Sequence, residues 1–139
     1  MASAVKFLDF VEQLGLKQHN LNTDTLKIAL SNTSPTNTNT TFAPGGAHPP
    51  PAAANGYTTG GHDILNTWSE TSGTATLSGT DVTITATAGG IGPFRYIILY
   101  NDDNATDMLL QYYDHGSSIT LADGEAYVFD ILTNILTLA

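Results

Sequence analysis

The chain has 139 residues, of which 41% are apolar, and this length is typical of one domain with one hydrophobic core. Its 13 acidic and 4 basic residues give a formal net charge of −9, which repels phosphate backbones and argues against nucleic-acid binding. The chain has no cysteine, which excludes disulfides and thiolate-bound zinc, and no apolar run approaches the roughly 18 residues of a membrane span.

The first predicted element is a short amphipathic helix within residues 1–16. Its apolar residues recur at three-residue spacing, and polar residues fill the opposite side. Ser3 is placed to cap this helix and Gly15 to end it. Because so short a helix is marginal alone, its apolar stripe must dock either on the chain's own sandwich or on a neighbouring subunit. The stripe consists of Val5, Leu8, Val11 and Leu14, with Phe7 and Phe10 alongside.

The next two segments differ sharply in composition. Leu26–Ser31 is apolar and β-branched enough to predict a strand, whereas residues 35–61 are rich in Thr and Asn and then in proline. Proline fixes φ and lacks an amide donor, so this second segment cannot be a central strand. We interpret it as a long extended arm or loop, and the apolar Phe42 in its middle indicates a contact held elsewhere.

Short strands dominate the rest of the chain. Residues 91–102 have apolar and aromatic side chains on both alternating faces, which predicts a strand buried between two layers. A turn is predicted at residues 114–116. Together with the strand at Leu26–Ser31, the strands predicted in this part of the chain number about eight, and they are expected to be antiparallel. This is typical of a β-sandwich or jelly roll. The predicted segments are 74–78, 82–87, 91–102, 109–114, 119–121, 126–131 and 135–138.

No group of residues predicts catalysis or a cofactor. Turn chemistry explains Asp114, His115, Ser117 and Ser118, and no spacing singles out a carboxylate pair among 13 acids. The four histidines lack metal-binding spacing, so we expect no metal site formed by them. The loop at residues 101–107 offers oxygen ligands suited to calcium but lacks the EF-hand pattern, and a solvated hairpin tip is the favoured interpretation.

Two further residues have alternative interpretations. Arg95 is one of four basic residues and lies within the most apolar run. It either forms an ion pair or stacking contact at the sandwich edge, with Asp63 or Asp114 as partner, or it makes a salt bridge to another subunit. Trp68 is either a core anchor, which we favour, or an interface residue.

Four blocks of the sequence resemble a known family. They read LKIALSNTSP at 26–35, NGYTTGG at 55–61, GPFRYIILYND at 92–102 and TLADGE at 120–125. In this order they resemble the jelly-roll capsid decoration, or cement, proteins of tailed bacteriophages, which are related to small tail-fibre-like structural proteins. The resemblance implies a non-enzymatic virion protein on the outer capsid surface, where a dimer or trimer bridges major capsid subunits.

The sequence therefore predicts an all-β jelly-roll protein that stabilises a bacteriophage head. We expect residues 1–22 to form the helix and a linker, and residues 23–139 to form the jelly-roll domain with an inserted arm at 35–61. The partners are the major capsid protein and further copies of the chain, with no nucleic acid, membrane or cofactor, and assembly takes place in the host cytoplasm. The predicted interface residues are Val5, Leu8, Val11, Phe42, Pro44, Pro49, Pro50, Pro51 and Arg95.

The alternative function is a tail-fibre or baseplate protein that binds a glycan on the host surface. Exposed acidic and aromatic side chains would then make the contacts, among them Tyr57, Trp68 and Tyr113. The number of copies in each virion separates the two functions, because a shell protein is abundant and a tail protein is scarce.

Overall fold

Ten strands and one short helix are present in the part of the chain that the computed structural model describes, residues 3–103, 105–131 and 135–139. The elements are β1 (Ser3–Lys6), α1 (Asp9–Gly15), β2 (Leu26–Ser31), β3 (His62–Asp63), β4 (Thr67–Thr71), β5 (Thr74–Ser78), β6 (Val82–Thr85), β7 (Ile91–Asn101), β8 (Leu109–Leu121), β9 (Ala126–Phe129) and β10 (Leu136–Leu138).

The strands form one large sheet and two small ones. The large sheet has the order β1-β8-β7-β2-β3, and every neighbouring pair is antiparallel. The small sheets, β10-β5-β4 and β6-β9, are also antiparallel. The all-β sandwich predicted from the sequence is thus confirmed, and the finer jelly-roll topology stays a prediction.

One face of the large sheet packs against the small sheets. Alternate residues of β2 and β7 point to that side, and their side chains are buried in the main hydrophobic cluster. Leucines and isoleucines dominate this cluster, which gains its stability from the apolar area removed from water. Its members include Leu26, Ile28, Leu30, Ile97 and Leu99 from the large sheet, and Leu77, Ile84 and Phe129 from the small ones.

The opposite face of the large sheet is buried as well. Ile98 and Tyr100 of β7 point to this side and belong to a second cluster. Phe7, Phe42 and Leu109 complete its larger members. The prediction that β7 is buried between two layers is therefore confirmed.

The second layer is supplied by the segment at residues 35–61, which the sequence predicted to be a long arm or loop. Phe42 is only 6% exposed and stacks on Tyr100, with ring centroids 4.4 Å apart. Backbone bonds hold the segment to the sheet, because the Phe42 amide donates to the Asp107 carbonyl (2.8 Å) and the Leu109 amide donates to the Thr40 carbonyl (3.1 Å). The contact expected for Phe42 is therefore made within the chain, because the segment covers the outer face of β7.

His48 links two other parts of the covering segment, residues 35–61, by hydrogen bonds. Its Nδ1 accepts a hydrogen bond from the Ala43 amide (3.0 Å), so the ring proton lies on Nε2, which donates to Asn39 Oδ1 (3.2 Å). The imidazole is fully buried and stacks on Phe42 at 5.8 Å, and this burial lowers the pKa of His48. The segment thus satisfies its own polar groups while it covers the sheet.

The N-terminal helix is shorter than predicted. Residues 3–6 form β1, which pairs with β8, so the predicted cap at Ser3 is wrong and α1 begins at Asp9. Phe7 lies in the second hydrophobic cluster and Phe10 in the main one. Because these two rings are buried on different faces of the large sheet, they cannot share one helical stripe.

The turn predicted at residues 114–116 is also wrong. β8 is 13 residues long and continues through residues 114–116. Its register with β7 shifts between Phe94 and Tyr96, where β8 has more residues than β7. The extra residues are accommodated by a bulge, where Gly116 has a φ of 97° and donates its amide to Asp114 Oδ1 (2.8 Å). The local turn chemistry is present, but it bends a strand instead of ending it.

The buried stack on β7 gives a direct test of the covering layer. Phe42→Ala is expected to lower the free energy of unfolding by about 3 kcal/mol, because it removes a buried ring and leaves a cavity over Tyr100. Urea denaturation followed by circular dichroism measures this. Val128→Thr is the control, since Val128 is an exposed residue of β9, and its effect should stay within about 0.5 kcal/mol. A free arm would instead give equal, small effects for both substitutions.

Candidate functional site: an interaction surface at helix α1

Helix α1 closes one open side of the sandwich. Phe10 is buried in the main hydrophobic cluster, and Leu14 packs against that cluster from the next turn of the helix. A cavity lined jointly by residues of α1, β1, β8 and β10 shows that the helix lies over the gap between the two layers. A helix of seven residues is not stable alone, so this packing determines its position.

The outward side of α1 is apolar too. Leu8 just before the helix and Val11 one turn later are each 56% exposed, and Leu16 just after the helix is 58% exposed. Leu138 of β10 is also exposed and lines the same cavity as Val11. These four residues, which we call the α1 surface, are four of the six large exposed apolar side chains in the described part of the chain. Apolar side chains concentrated in this way mark an interaction site.

Two cavities flank the inner edge of this surface. The larger one, of about 400 Å³, has apolar walls formed by Leu14, Leu21, Trp68 and Leu138. Its polar walls are Lys17, His19 and Asn20. The smaller one, of about 200 Å³, is lined by apolar residues of α1 and β10 together with Lys6, Gln111 and Thr137.

The two cavities share Leu14 and Leu138, so they adjoin at these two leucines. We call them together the α1 groove. The groove follows from the way the sandwich is closed, because one short helix spans the gap without filling it.

A hydrogen-bond chain fixes the protonation of His19 in the larger cavity. Asn101 Oδ1 accepts from the Asp103 amide (3.0 Å), so its Nδ2 is the donor to Asp24 Oδ2 (2.7 Å) and to His19 Nδ1 (3.1 Å). His19 Nδ1 is then an acceptor, and the proton of the neutral ring lies on Nε2. That Nε2 is buried and has no hydrogen-bond partner in the described structure.

The charged side chains that line the groove are basic, although Asp24 and Asp9 lie near His19. Lys27 pairs with Asp102 (2.9 Å) and Arg95 with Asp114 (2.7 Å), whereas the other two basic residues form no ion pair with any described residue. Of these two, Lys6 lines the smaller cavity and Lys17 lines the larger one. No carboxylate side chain of the described residues lines either cavity, although the chain has 13 of them.

The predicted interface residues are dispersed by the fold. Leu8 and Val11 lie together on the α1 surface, and Val5 is half-buried in the neighbouring β1. Two others were expected to reach a partner and are buried within the chain instead, because they belong to the covering layer: Phe42 and Pro51. The remaining positions are half-buried or exposed, with Pro44, Pro50 and Arg95 half-buried and Pro49 exposed.

Arg95 makes the intramolecular pair that the sequence suggested. Its Nε and one terminal nitrogen donate to the two Asp114 carboxylate oxygens at 2.7 and 3.0 Å, and its guanidinium lies 5.3 Å from the centre of the Tyr96 ring. The hydrogen bond from Arg95 is the main reason that the pKa of Asp114 is lowered. This bidentate pair fastens β7 to β8 beside the bulge.

The residues considered for catalysis have other partners. His115 Nδ1 lies 3.3 Å from the Ser117 carbonyl oxygen, and Ser118 Oγ donates to Asn32 Oδ1 (2.7 Å). In the loop considered for calcium, Asp102 pairs with Lys27 and Asp103 accepts from the Thr25 amide (2.5 Å). Within the described ranges, no three His, Asp or Glu side chains are grouped so that they would hold a metal.

The aromatic residues proposed for glycan binding do not form a set. Tyr57 and Tyr113 are buried in the main cluster, and Tyr57 accepts a hydrogen bond from the Leu30 amide (3.0 Å). Trp68, which lies on β4 and packs partly against the core, lines the larger cavity. Sequence analysis did not identify Lys6, Lys17, His19 and Leu138 as site residues, because no sequence pattern joins them.

Comparisons with protein families, curated proteins and solved structures find no significant match to this chain. No helix in the described ranges has the length and apolarity that crossing a membrane requires.

The burial of His19 predicts how stability changes with pH. Burial lowers the pKa of His19 from its usual 6.5, against the opposing effect of Asp24 and Asp9, so the unfolded chain takes up this proton at a higher pH than the folded one. The free energy of unfolding should therefore fall as the pH drops below about 6.5 and keep falling until the folded imidazole is also protonated.

Substitution of His19 tests this assignment. His19→Asn keeps an acceptor for Asn101 Nδ2 and cannot be protonated, so urea denaturation between pH 7 and pH 5 should show a smaller loss of stability than in the unmodified chain. His115→Asn removes an exposed imidazole and serves as the control. An unchanged pH dependence in His19→Asn would contradict the assignment.

Proposed function

We propose that this chain is a structural protein of a bacteriophage virion, which decorates the capsid exterior and stabilises it by bridging major capsid subunits. The α1 surface is the proposed contact. The sequence resemblance to capsid decoration proteins supports the class of protein, and the exposed apolar side chains of α1 support the location of the contact.

Two of the four blocks that carry the resemblance form the centre of the large sheet. Blocks 26–35 and 92–102 contain β2 and β7, which pair over six residues. Gly61, in the second block, has a φ of 83° and passes so close to the Ile28 carbonyl oxygen that a Cβ there would overlap it. The resemblance is therefore a likeness of framework, and the contacts that confer a function must come from surfaces particular to this chain.

The single observation that carries the proposal is the α1 surface. It presents Val11 on α1 and Leu8 and Leu16 at the two ends of α1, and the helix is held against the core by buried Phe10 and partly buried Leu14. A preorganised apolar surface of this kind contributes binding energy at little cost in ordering. In a shell, repetition of one modest contact at every subunit multiplies its effect through a high effective concentration.

Quantitative mass spectrometry of gradient-purified virions tests the proposed location. We expect a copy number of the same order as that of the major capsid protein. A handful of copies in each particle would favour a tail location, and absence from the particles would contradict both.

Substitutions on the α1 surface test the proposed contact. The double variant Leu8→Gln/Val11→Gln should bind capsids lacking the protein at least about tenfold more weakly, because two apolar contacts are lost. Its free energy of unfolding should change little, since both side chains are exposed. Val128→Gln, an exposed apolar position on β9, is the matched control and should bind normally. Equal binding by all three proteins would reject the α1 surface as the contact.

A tail-fibre or baseplate protein that binds a host glycan is the second candidate function. The observation in its favour is Trp68, an aromatic side chain in a cavity that also holds Lys17, His19 and Asn20. Direct titration with host-surface glycans tests it.

A further inference from the structure

The hydrogen bonds of His48 require its imidazole to be neutral. Asn39 Oδ1 accepts from the Thr36 amide (2.9 Å), which identifies this atom as an acceptor, so His48 Nε2 is the donor to it. On the other side of the ring, the Ala43 amide donates to Nδ1 (3.0 Å). A second ring proton would make Nδ1 a donor that faces another donor. A protonated His48 therefore cannot keep its bond to Ala43.

The surroundings of His48 also oppose a charge on its ring. The residue has no exposed surface, and its imidazole stacks on Phe42. No carboxylate of the described residues forms an ion pair with it, and burial is the cause that lowers its pKa from 6.5. An imidazolium that lacks both water and a counter-ion is costly, so protonation must destabilise the closed arrangement around His48.

Two anchors bound the part of the covering segment that depends on His48. At one end, the Asn37 carbonyl accepts from the Leu8 amide (3.0 Å). At the other end, the Pro49 carbonyl accepts from Ser31 Oγ (2.9 Å). The stretch between the anchors, residues 38–48, is called the lid below. A short stretch of this kind can open locally at a lower cost in free energy than the unfolding of the whole sandwich.

Phe42 attaches the lid to the large sheet. Its amide donates to the Asp107 carbonyl (2.8 Å), and its ring stacks on both the Tyr100 ring (4.4 Å) and the His48 ring (5.8 Å). Ala43, whose amide is bound by His48, directly follows Phe42 in the chain. Loss of the bond between His48 and Ala43 therefore loosens the residue that holds the lid in place.

Most other titratable groups around the lid do not favour opening in acid. Burial raises the pKa of Tyr100 on β7 and of Tyr112 on β8, so both stay neutral as the pH falls. Lys27 of β2 pairs with Asp102 (2.9 Å). Burial and the nearby Asp102 raise the pKa of Asp107, so the closed form binds this proton more tightly and gains stability as the pH falls.

His62 is the group that must be separated from His48 by experiment. It lies on β3, directly after the covering segment, and its ring centre is 6.0 Å from that of Tyr57. Burial lowers the pKa of His62 as well, so its titration has the same sign as that of His48. It lies outside the lid, and the two bonds that fix the neutral form of His48 do not involve it.

We infer that residues 38–48 form an acid-sensitive lid over the outer face of the large sheet, which neutral His48 holds closed and protonated His48 releases. Release uncovers the apolar side chains of the second cluster, Ile98 and Tyr100 among them, while the main cluster stays packed. This property of the lid does not depend on where the chain is located in a virion.

Hydrogen exchange of single amides, followed by NMR on the full chain, measures the opening of the lid. The Phe42 amide reports the lid. The Ala86 amide, which follows β6 and donates to the Glu125 carbonyl (2.8 Å), reports the rest of the sandwich. One linked proton raises the opening constant by up to about tenfold for each pH unit below 6.5.

After correction for intrinsic exchange, the opening constant at Phe42 should be at least about tenfold larger at pH 5 than at pH 7.5. At pH 5 it should also exceed the constant at Ala86 at least about tenfold, because the lid opens without the sandwich. A constant at Phe42 that does not change with pH, or equal constants at Phe42 and Ala86 at pH 5, would overturn the inference.

Two histidine variants identify the responsible imidazole. His48→Asn keeps an acceptor for the Ala43 amide and cannot be protonated, so the rise at Phe42 should fall to less than about threefold. His62→Asn removes the other imidazole near the covering segment and should keep the tenfold rise. A rise that is lost in His62→Asn and kept in His48→Asn would assign the pH dependence to His62 and contradict the inference.

Two aspartate variants test the same point when His48→Asn leaves the lid open at neutral pH. Asn39→Asp places a carboxylate beside His48 Nε2, which stabilises the imidazolium in the closed lid, so the rise at Phe42 should shrink to less than about threefold. Asn37→Asp adds the same charge at an exposed position two residues away and should keep the tenfold rise. Equal rises in the two variants would reject His48 as the group that releases the lid.

Discussion

The rest of the structure depends on the burial of β7 from both sides. Its residues from Tyr96 to Asn101 are all buried, with Ile97 and Leu99 facing the small sheets and Ile98 and Tyr100 facing the other way. A strand of this kind needs a second layer, because its outer face would otherwise put a contiguous row of large apolar side chains in water. The chain supplies that layer from a proline-rich segment without strand pairing of its own beyond one isolated bridge, and Phe42 and His48 hold it in place.

Closure of the sandwich at its open side produces the candidate site. A single short helix must bury Phe10 and Leu14, and a helix that turns two side chains inward necessarily turns others outward. Leu8 and Val11 are those others, and the incomplete fit between α1 and β10 leaves the groove beside them. The sequence blocks that carry the resemblance thus contribute to the framework, whereas the α1 surface is built from residues outside those blocks.

Part of the site could be predicted, and the physical reason for the rest is distance along the chain. Leu8 and Val11 were identified as interface residues because helical spacing is local information. Trp68 and Leu138 are far from α1 in sequence and approach it only through packing of the layers, so no periodicity reveals their common cavity. Phe42 shows the opposite error, since an apolar residue in a polar loop has the same local signature whether it reaches a partner or the chain's own core.

The sequence by itself determined the elements whose pattern is local: β2, β5, β6, β7 and β9, the all-β class, the two-sided burial of β7, and the excess of negative charge. Tertiary structure decided what depends on long-range pairing. It made Ser3–Lys6 a strand because β8 has a free edge there, it carried β8 through Gly116 by a bulge, and it folded residues 35–61 onto Tyr100. The pattern of apolar residues along a strand predicts that a face must be covered, because that pattern is local. Only the folded chain shows which segment covers the face, because burial depends on the whole molecule.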